Sequence, residues 1–236
     1  MNRETINKCN PFMQANKTLL KIFKEKPLKR ITLPKGGVLL PDDNQSLIGY
    51  IEEGMLKITI VSEEGKERLL WVLGDNSLVV FFQNRIYKET VALKETKIIM
   101  MDKNTFIESM LTDRSYFDLF LEQLYSKMQY CTDTLLMQDK NTSKIKIYTL
   151  LQQLGKSYGV VRADQSIFIK NFLTRTDMAS ITGVHRSNII RYIGELEKMD
   201  IIKKEKKDII IKQPQMLEQL IQTAQDNLAA DEYSNA

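Results

Sequence analysis

The chain has 236 residues, 43% hydrophobic and 27% charged with 5 prolines, a composition of folded globular domains that excludes disordered, fibrous and collagen-like classes. No apolar run reaches the roughly 18 residues of a membrane helix, and Met1 to Asn10 is polar where a secretory leader is apolar, so the expected location is the cytoplasm, with no membrane partner. The net charge of +4 is uneven: residues 140–212 hold fifteen Lys/Arg against seven Asp/Glu, a net of +8 that leaves the rest of the chain at −4. Clustered positive charge suits a polyanionic partner, although a solvated lysine-rich surface gives the same count.

From Leu28 to Met101 short apolar runs alternate with turn residues, as in an antiparallel sandwich or barrel. The predicted strands are Ile31–Leu33, Val38–Leu40, Leu47–Ile51, Leu56–Val61, Arg68–Leu73, Leu78–Phe82, Thr90–Leu93 and Lys97–Met101. Gly36, Gly37, Gly54, Gly65 and Gly74 fall between or beside them, and the pattern predicts a double-sheet roll.

The period then changes. Phe117, Leu121, Leu124, Met128, Cys131 and Leu135 follow the alternating spacing of a coiled-coil seam on one long helix. Its narrow apolar stripe favours a second copy of the helix, with packing against the protein's own sheet as the alternative; both can hold for different turns. Asp-Lys-Asn-Thr-Ser follows Gln138, and Ile145, Tyr148, Leu151 and Leu154 resume helical spacing up to Gly155. The expected segments are thus 1–112, 113–139 and 140–236. Ser166–Lys170 reads as a strand, Ile201–Lys212 as a hairpin and Gln215–Leu228 as a helix.

The stretch from Leu173 to Ile202, LTRTDMASITGVHRSNIIRYIGELEKMDII, carries the clearest chemistry. Thr174 is a good N-cap with Asp177 three residues on, Met178 and Ile181 give the first helix an apolar face, and Gly183 and Val184 suit a tight helix-helix turn. The second helix, about His185 to Met199, buries Ile189, Ile193 and Leu196. Arg186, Ser187, Asn188 and Arg191 lie on or near its other side, and arginine and asparagine are side chains that read guanine and adenine edges in the major groove. Lys203, Lys204, Lys206 and Lys207 form a basic hairpin tip suited to phosphates, or simply a solvated loop. The candidate DNA-binding residues are therefore Thr174, His185, Arg186, Ser187, Asn188 and Arg191.

This segment resembles the helix-turn-helix of the CRP/FNR family of bacterial transcription regulators at Thr174, Asp177, Met178, Ala179, Gly183, Arg186, Ile189, Arg191, Ile193 and Leu196. Upstream, YIEEGMLKITIVSEEGKERLLWVLGDNSLV is similar to the family's effector-binding roll. The resemblance implies an α+β protein: an N-terminal double-stranded β-helix of the jelly-roll, cyclic-nucleotide-binding-like type over 1–112, a dimerisation helix over 113–139 and a C-terminal winged helix-turn-helix over 140–236. It further implies a homodimeric activator or repressor that binds a near-palindromic site on double-stranded DNA, contacts RNA polymerase and is controlled by a small-molecule effector. The run Arg186, Ser187, Asn188, Ile189, Ile190, Arg191 departs from the family's usual R-E-T-x-x-R, which implies a different half-site.

Cyclic-nucleotide binders of the family carry a Gly-Glu pair and an Arg-Ser or Arg-Thr pair around the phosphate; FFQNRIYKETVALKET offers Arg85 but neither pair, which disfavours cyclic AMP. Only Cys9 and no histidine is available for the iron-sulfur or haem branches, so no cofactor is expected. VLGDNSLV and GVHR resemble the branch that senses halogenated aromatic acids. Trp71, Phe81, Phe82, Arg85 and Lys127 would furnish an aromatic pocket with a cation, unless the rings are plain core; another small molecule, or none, stays open.

Little points to an enzyme, and no catalytic residue is assigned. The sole histidine, His185, begins the recognition helix, where a cap or phosphate contact is its ordinary role. Gly155-Lys156-Ser157 lacks the earlier glycine of a phosphate loop, that position being Leu150, and Cys9, Cys131 and His185 share no metal-ligand spacing. A protein-docking module remains the third reading.

Overall fold

The computed structural model describes residues 11–13, 17–40, 46–65, 67–81, 88–138, 142–170 and 172–234. The chain divides into two compact units, one from Pro11 to Cys131 and one from Thr132 onward.

The first unit holds β1 (Phe12–Met13), α1 (Leu20–Glu25), β2 (Lys29–Leu33), β3 (Leu47–Glu53), β4 (Leu56–Val61), β5 (Glu67–Leu73), β6 (Leu78–Phe81), β7 (Lys88–Ala92), β8 (Thr96–Asp102), α2 (Lys103–Thr112) and most of α3 (Arg114–Gln138). Its strands form two four-stranded sheets, ordered β1-β5-β4-β7 and β2-β8-β3-β6. The double-sheet roll expected from the turn spacing is present. Val38–Leu40 is not a strand of it: Val38 makes only an isolated bridge to Val91.

The central strands β3 and β8 are apolar at nearly every position because both faces are covered. Leu47, Ile51, Ile98 and Met100 join Leu56, Ile58, Leu73 and Phe81 in one core, while Ile48, Tyr50, Ile99 and Met101 join Phe23, Phe106 and Met110 in another. Strand side chains alternate faces, so a continuous run fills both. At Gly49 a Cβ would lie 2.7 Å from Val79 Cγ1 and 2.9 Å from Met100 Sδ, so any side chain there would force its neighbours to move.

The second unit contains α4 (Ser143–Tyr158), β9 (Val160–Val161), β10 (Ile167–Ile169), α5 (Arg175–Thr182), α6 (Arg186–Lys198), β11 (Ile202–Glu205), β12 (Asp208–Ile211) and α7 (Pro214–Ser234). Its sheet runs β11-β12-β10-β9. The helix expected to stop at Gly155 continues to Tyr158, and Gly155 lets it approach the sheet: a Cβ there would stand 3.0 Å from Ile211 Cδ1. Gly155-Lys156-Ser157 is therefore helix packed on a sheet. Ile145, Leu151, Leu154, Met178, Ile189, Leu196, Ile209, Ile211 and Leu217 form the buried interior.

Helix α3 separates its apolar residues into two sets. Tyr116, Leu119 and Phe120 pack against the core beneath α1 and α2. Phe117, Leu121, Leu124 and Met128, four positions of the expected seam, are 44%, 45%, 38% and 69% exposed. The own-sheet and partner-helix expectations thus fall on different residues of one helix. Cys131 is half-buried, which pushes its thiol above the ordinary range, and Leu135 lies outside the side chains described.

Candidate nucleic-acid interface

Helix α5 starts where local chemistry dictates. Thr174 has extended backbone; the Asp177 N–H donates to its Oγ1 at 3.0 Å, and its own N–H and hydroxyl donate to Asp177 Oδ2 at 2.9 and 2.7 Å. This closed capping box satisfies orphan donors of the first turn around a buried carboxylate, so the Thr174 hydroxyl is committed to the helix start. Gly183 ends the helix at φ +67°, a left-handed conformation that an L side chain rarely adopts, and Val184 is buried in the turn.

His185 caps α6: its Nδ1 accepts from the Ser187 N–H at 3.4 Å and lies 2.8 Å from Ser187 Oγ. Ile189, Ile193 and Leu196 are buried while Arg186, Ser187, Ile190 and Arg191 are exposed, so the first two turns present a polar face with one apolar side chain in it. Asn188 is half-buried at the flank. Ile190, 48% exposed, is the residue that sequence reasoning missed. The available signal was phase: it falls outside the stripe defined by 189, 193 and 196. Nothing lies within 4 Å of a Cβ built at Gly194, one turn beyond Ile190, so the face there is open.

The hairpin β11–β12 is more neutral than its lysine count. Lys203 pairs with Glu205 at 3.1 Å, Lys204 with Glu197, and Lys212 with Asp200 at 2.6 Å. The Lys204 hydrogen bond holds the Glu197 carboxyl below its ordinary range. Lys206 takes φ +58° in the turn. The basic tip expected from four lysines narrows to Lys206 and Lys207.

In the first unit, Trp71 packs against the inter-sheet core that contains Phe81. Lys127 of α3 places Nζ 5.8 Å from the Trp71 ring centroid and donates to the Leu78 carbonyl at 3.0 Å. Trp71 and Lys127 thus lie together, and Trp71 and Phe81 also pack within the core. Phe82 and Arg85 lie outside the described residues. Among the described residues no group of three or more His, Cys, Asp or Glu could hold a metal ion, and no helix is long and apolar enough to cross a membrane.

A capped helix pair joined by a left-handed glycine and followed by a β-hairpin is a winged helix-turn-helix, here in a chain that also contains a β-roll. Residues 146–220 match the Crp-like helix-turn-helix domain family. The anaerobic regulatory protein of Bacillus subtilis (strain 168) is 25% identical over 160 residues, 64% of this chain and 66% of that protein, so the chain spans just under two thirds of that relative's length. The same fold occurs in CprK complexed with OCPA (TM-score 0.69, 22% identity, 87% of this chain and 96% of that one). It also occurs in a CooA mutant from Carboxydothermus hydrogenoformans (TM-score 0.73, 16% identity, 89% and 96%). Residues 146–220 thus form a Crp-like helix-turn-helix domain, and the chain is similar to bacterial regulatory proteins.

Proposed function

We propose that this chain is a cytoplasmic homodimer that reads a near-palindromic DNA operator with the first two turns of α6, under control of a small molecule held in the β-roll. The observation that carries the reading is the segregation on α6, with Arg186, Ser187, Ile190 and Arg191 outward and the aliphatic stripe buried. Arginine forks recognise guanine, and an exposed aliphatic group between them matches the thymine 5-methyl. The exposed α3 seam supports dimerisation, since four large apolar side chains at coiled-coil spacing on one helix favour a partner helix. Two copies would present two recognition helices to two half-sites.

For the effector, the Trp71 ring beside the Lys127 ammonium offers a flat apolar surface and a cation, which suits an aromatic carboxylic acid better than a neutral sugar. RNA polymerase is the proposed protein partner at the promoter. The testing experiment is selection of DNA from a random pool by the purified chain, alone and with a panel of aromatic acids and cyclic nucleotides. Enrichment of an inverted repeat, strengthened by aromatic acids, is expected; enrichment of no sequence under any condition refutes the reading.

A further inference from the structure

The recognition helix carries a small network that the candidate DNA contacts do not account for. The Arg191 guanidinium lies over the Tyr192 ring at 4.5 Å, and one terminal nitrogen donates to the Tyr192 hydroxyl at 2.5 Å. Its Nε stands 4.0 Å from Glu195 Oε1, one helical turn on. The other oxygen of Glu195 is 3.3 Å from Lys144 Nζ on α4, and Lys144 in turn sits 5.7 Å from the Tyr148 ring. Glu195 thus bridges a cation of the recognition helix and a cation of the helix packed behind it, and the Tyr148 phenol is pushed up first by its burial and then by Glu195 and Tyr192.

A carboxylate on a DNA-facing helix repels phosphates, so it needs a compensating role there. An unrestrained arginine samples many rotamers and loses that freedom on binding a base; a guanidinium stacked on a ring and facing a carboxylate along its Nε side has lost much of it beforehand. The outer edge of the fork then remains to donate a paired hydrogen bond to guanine. We propose that Glu195 and Tyr192 are positioning residues that preset Arg191 for one base, with Lys144 holding Glu195 from α4. This rests on the reading of α6 as the base-reading helix.

The test compares binding to the operator selected by the parent chain and to duplexes with each base pair of one half-site replaced in turn, for Glu195→Gln, Tyr192→Phe, Lys144→Met and Arg191→Ala. Glu195→Gln is expected to raise affinity for unrelated DNA, since a negative charge is lost, while discrimination at the Arg191 base pair falls roughly fivefold. Tyr192→Phe, which keeps the ring and removes the hydroxyl, should lower discrimination at that pair and leave the salt slope unchanged. Lys144→Met should do the same without touching the DNA-facing side. If Glu195→Gln strengthens all duplexes equally with discrimination intact, Glu195 is only a repulsive charge and the proposal falls. If Arg191→Ala itself changes no base preference, the base-reading assignment fails, and the positioning role with it.

Discussion

Ile190 offers a quantitative test because its predicted target differs from a non-target by one methyl group. It is 48% exposed on the outward face of α6, flanked by Arg186, Ser187 and Arg191. Burying one methyl is worth about 0.8 kcal/mol. One thymine methyl per half-site, twice in a palindrome, therefore contributes about 1.6 kcal/mol, or roughly 15-fold in Kd at about 1.4 kcal/mol per tenfold. Replacing single thymines of the selected operator with uracil deletes the methyl and leaves base pairing unchanged. Competition anisotropy should show one symmetric pair of positions at which uracil weakens binding by about fourfold when one thymine is replaced and by about 15-fold when both are. Ile190→Ala should abolish the difference between thymine and uracil there. The variant should fold, since the side chain is exposed and alanine is the better helix former. If uracil is tolerated within twofold at every position, or Ile190→Ala retains the thymine preference, the account of the α6 face is wrong.

Three further outcomes follow from the same geometry. Leu121→Lys with Leu124→Lys adds charge to residues already 45% and 38% exposed, so light scattering should show a monomer whose circular dichroism matches the parent; an unchanged dimer would move the interface off this seam. Thr174→Ala removes the hydroxyl of the capping box and should lower the stability of the helix-turn-helix by about 0.5–2 kcal/mol in urea melts, whereas no change would mean that the cap is not formed in solution. Tyr50 and Tyr148 hold their phenol protons to about 12 through burial, so the folded state binds protons that the unfolded chain releases near 10. Their contribution is complete below pH 10 and is lost as pH rises towards 12. Denaturant midpoints should therefore fall over that window, and fall less in Tyr148→Phe; equal slopes in both proteins would contradict the assignment.

Much of the architecture was legible because it rests on periodicity and on residues with one structural use. The strand from Leu56 to Val61 and the helix pair after Thr174 follow from alternation, a capping box and a left-handed glycine. Helices α1 and α2 were not foreseen. The first is six residues long, and the second begins where Asp102 ends β8 and accepts from the Asn104 and Thr105 N–H groups, so one residue closes a strand and opens a helix. Val38 to Leu40 has strand composition but pairs at a single residue, which composition alone does not reveal. At the site, residue types were readable and their partners were not: Lys203 and Lys204 counted as free charge until Glu205 and Glu197 were placed beside them, and the link from Arg191 through Glu195 to Lys144 spans two helices far apart in sequence.

The central claim, that α6 reads DNA sequence, is tested most directly by the salt dependence of binding to the selected duplex and to a scrambled one, for the parent chain and for Arg186→Ala. The account predicts that log K falls linearly with log salt for both duplexes, that the parent prefers the selected site by roughly a thousandfold or more, and that Arg186→Ala loses much of that preference while its slope changes by about one unit or less. Binding that ignores salt, or a variant that keeps the full preference, would contradict it.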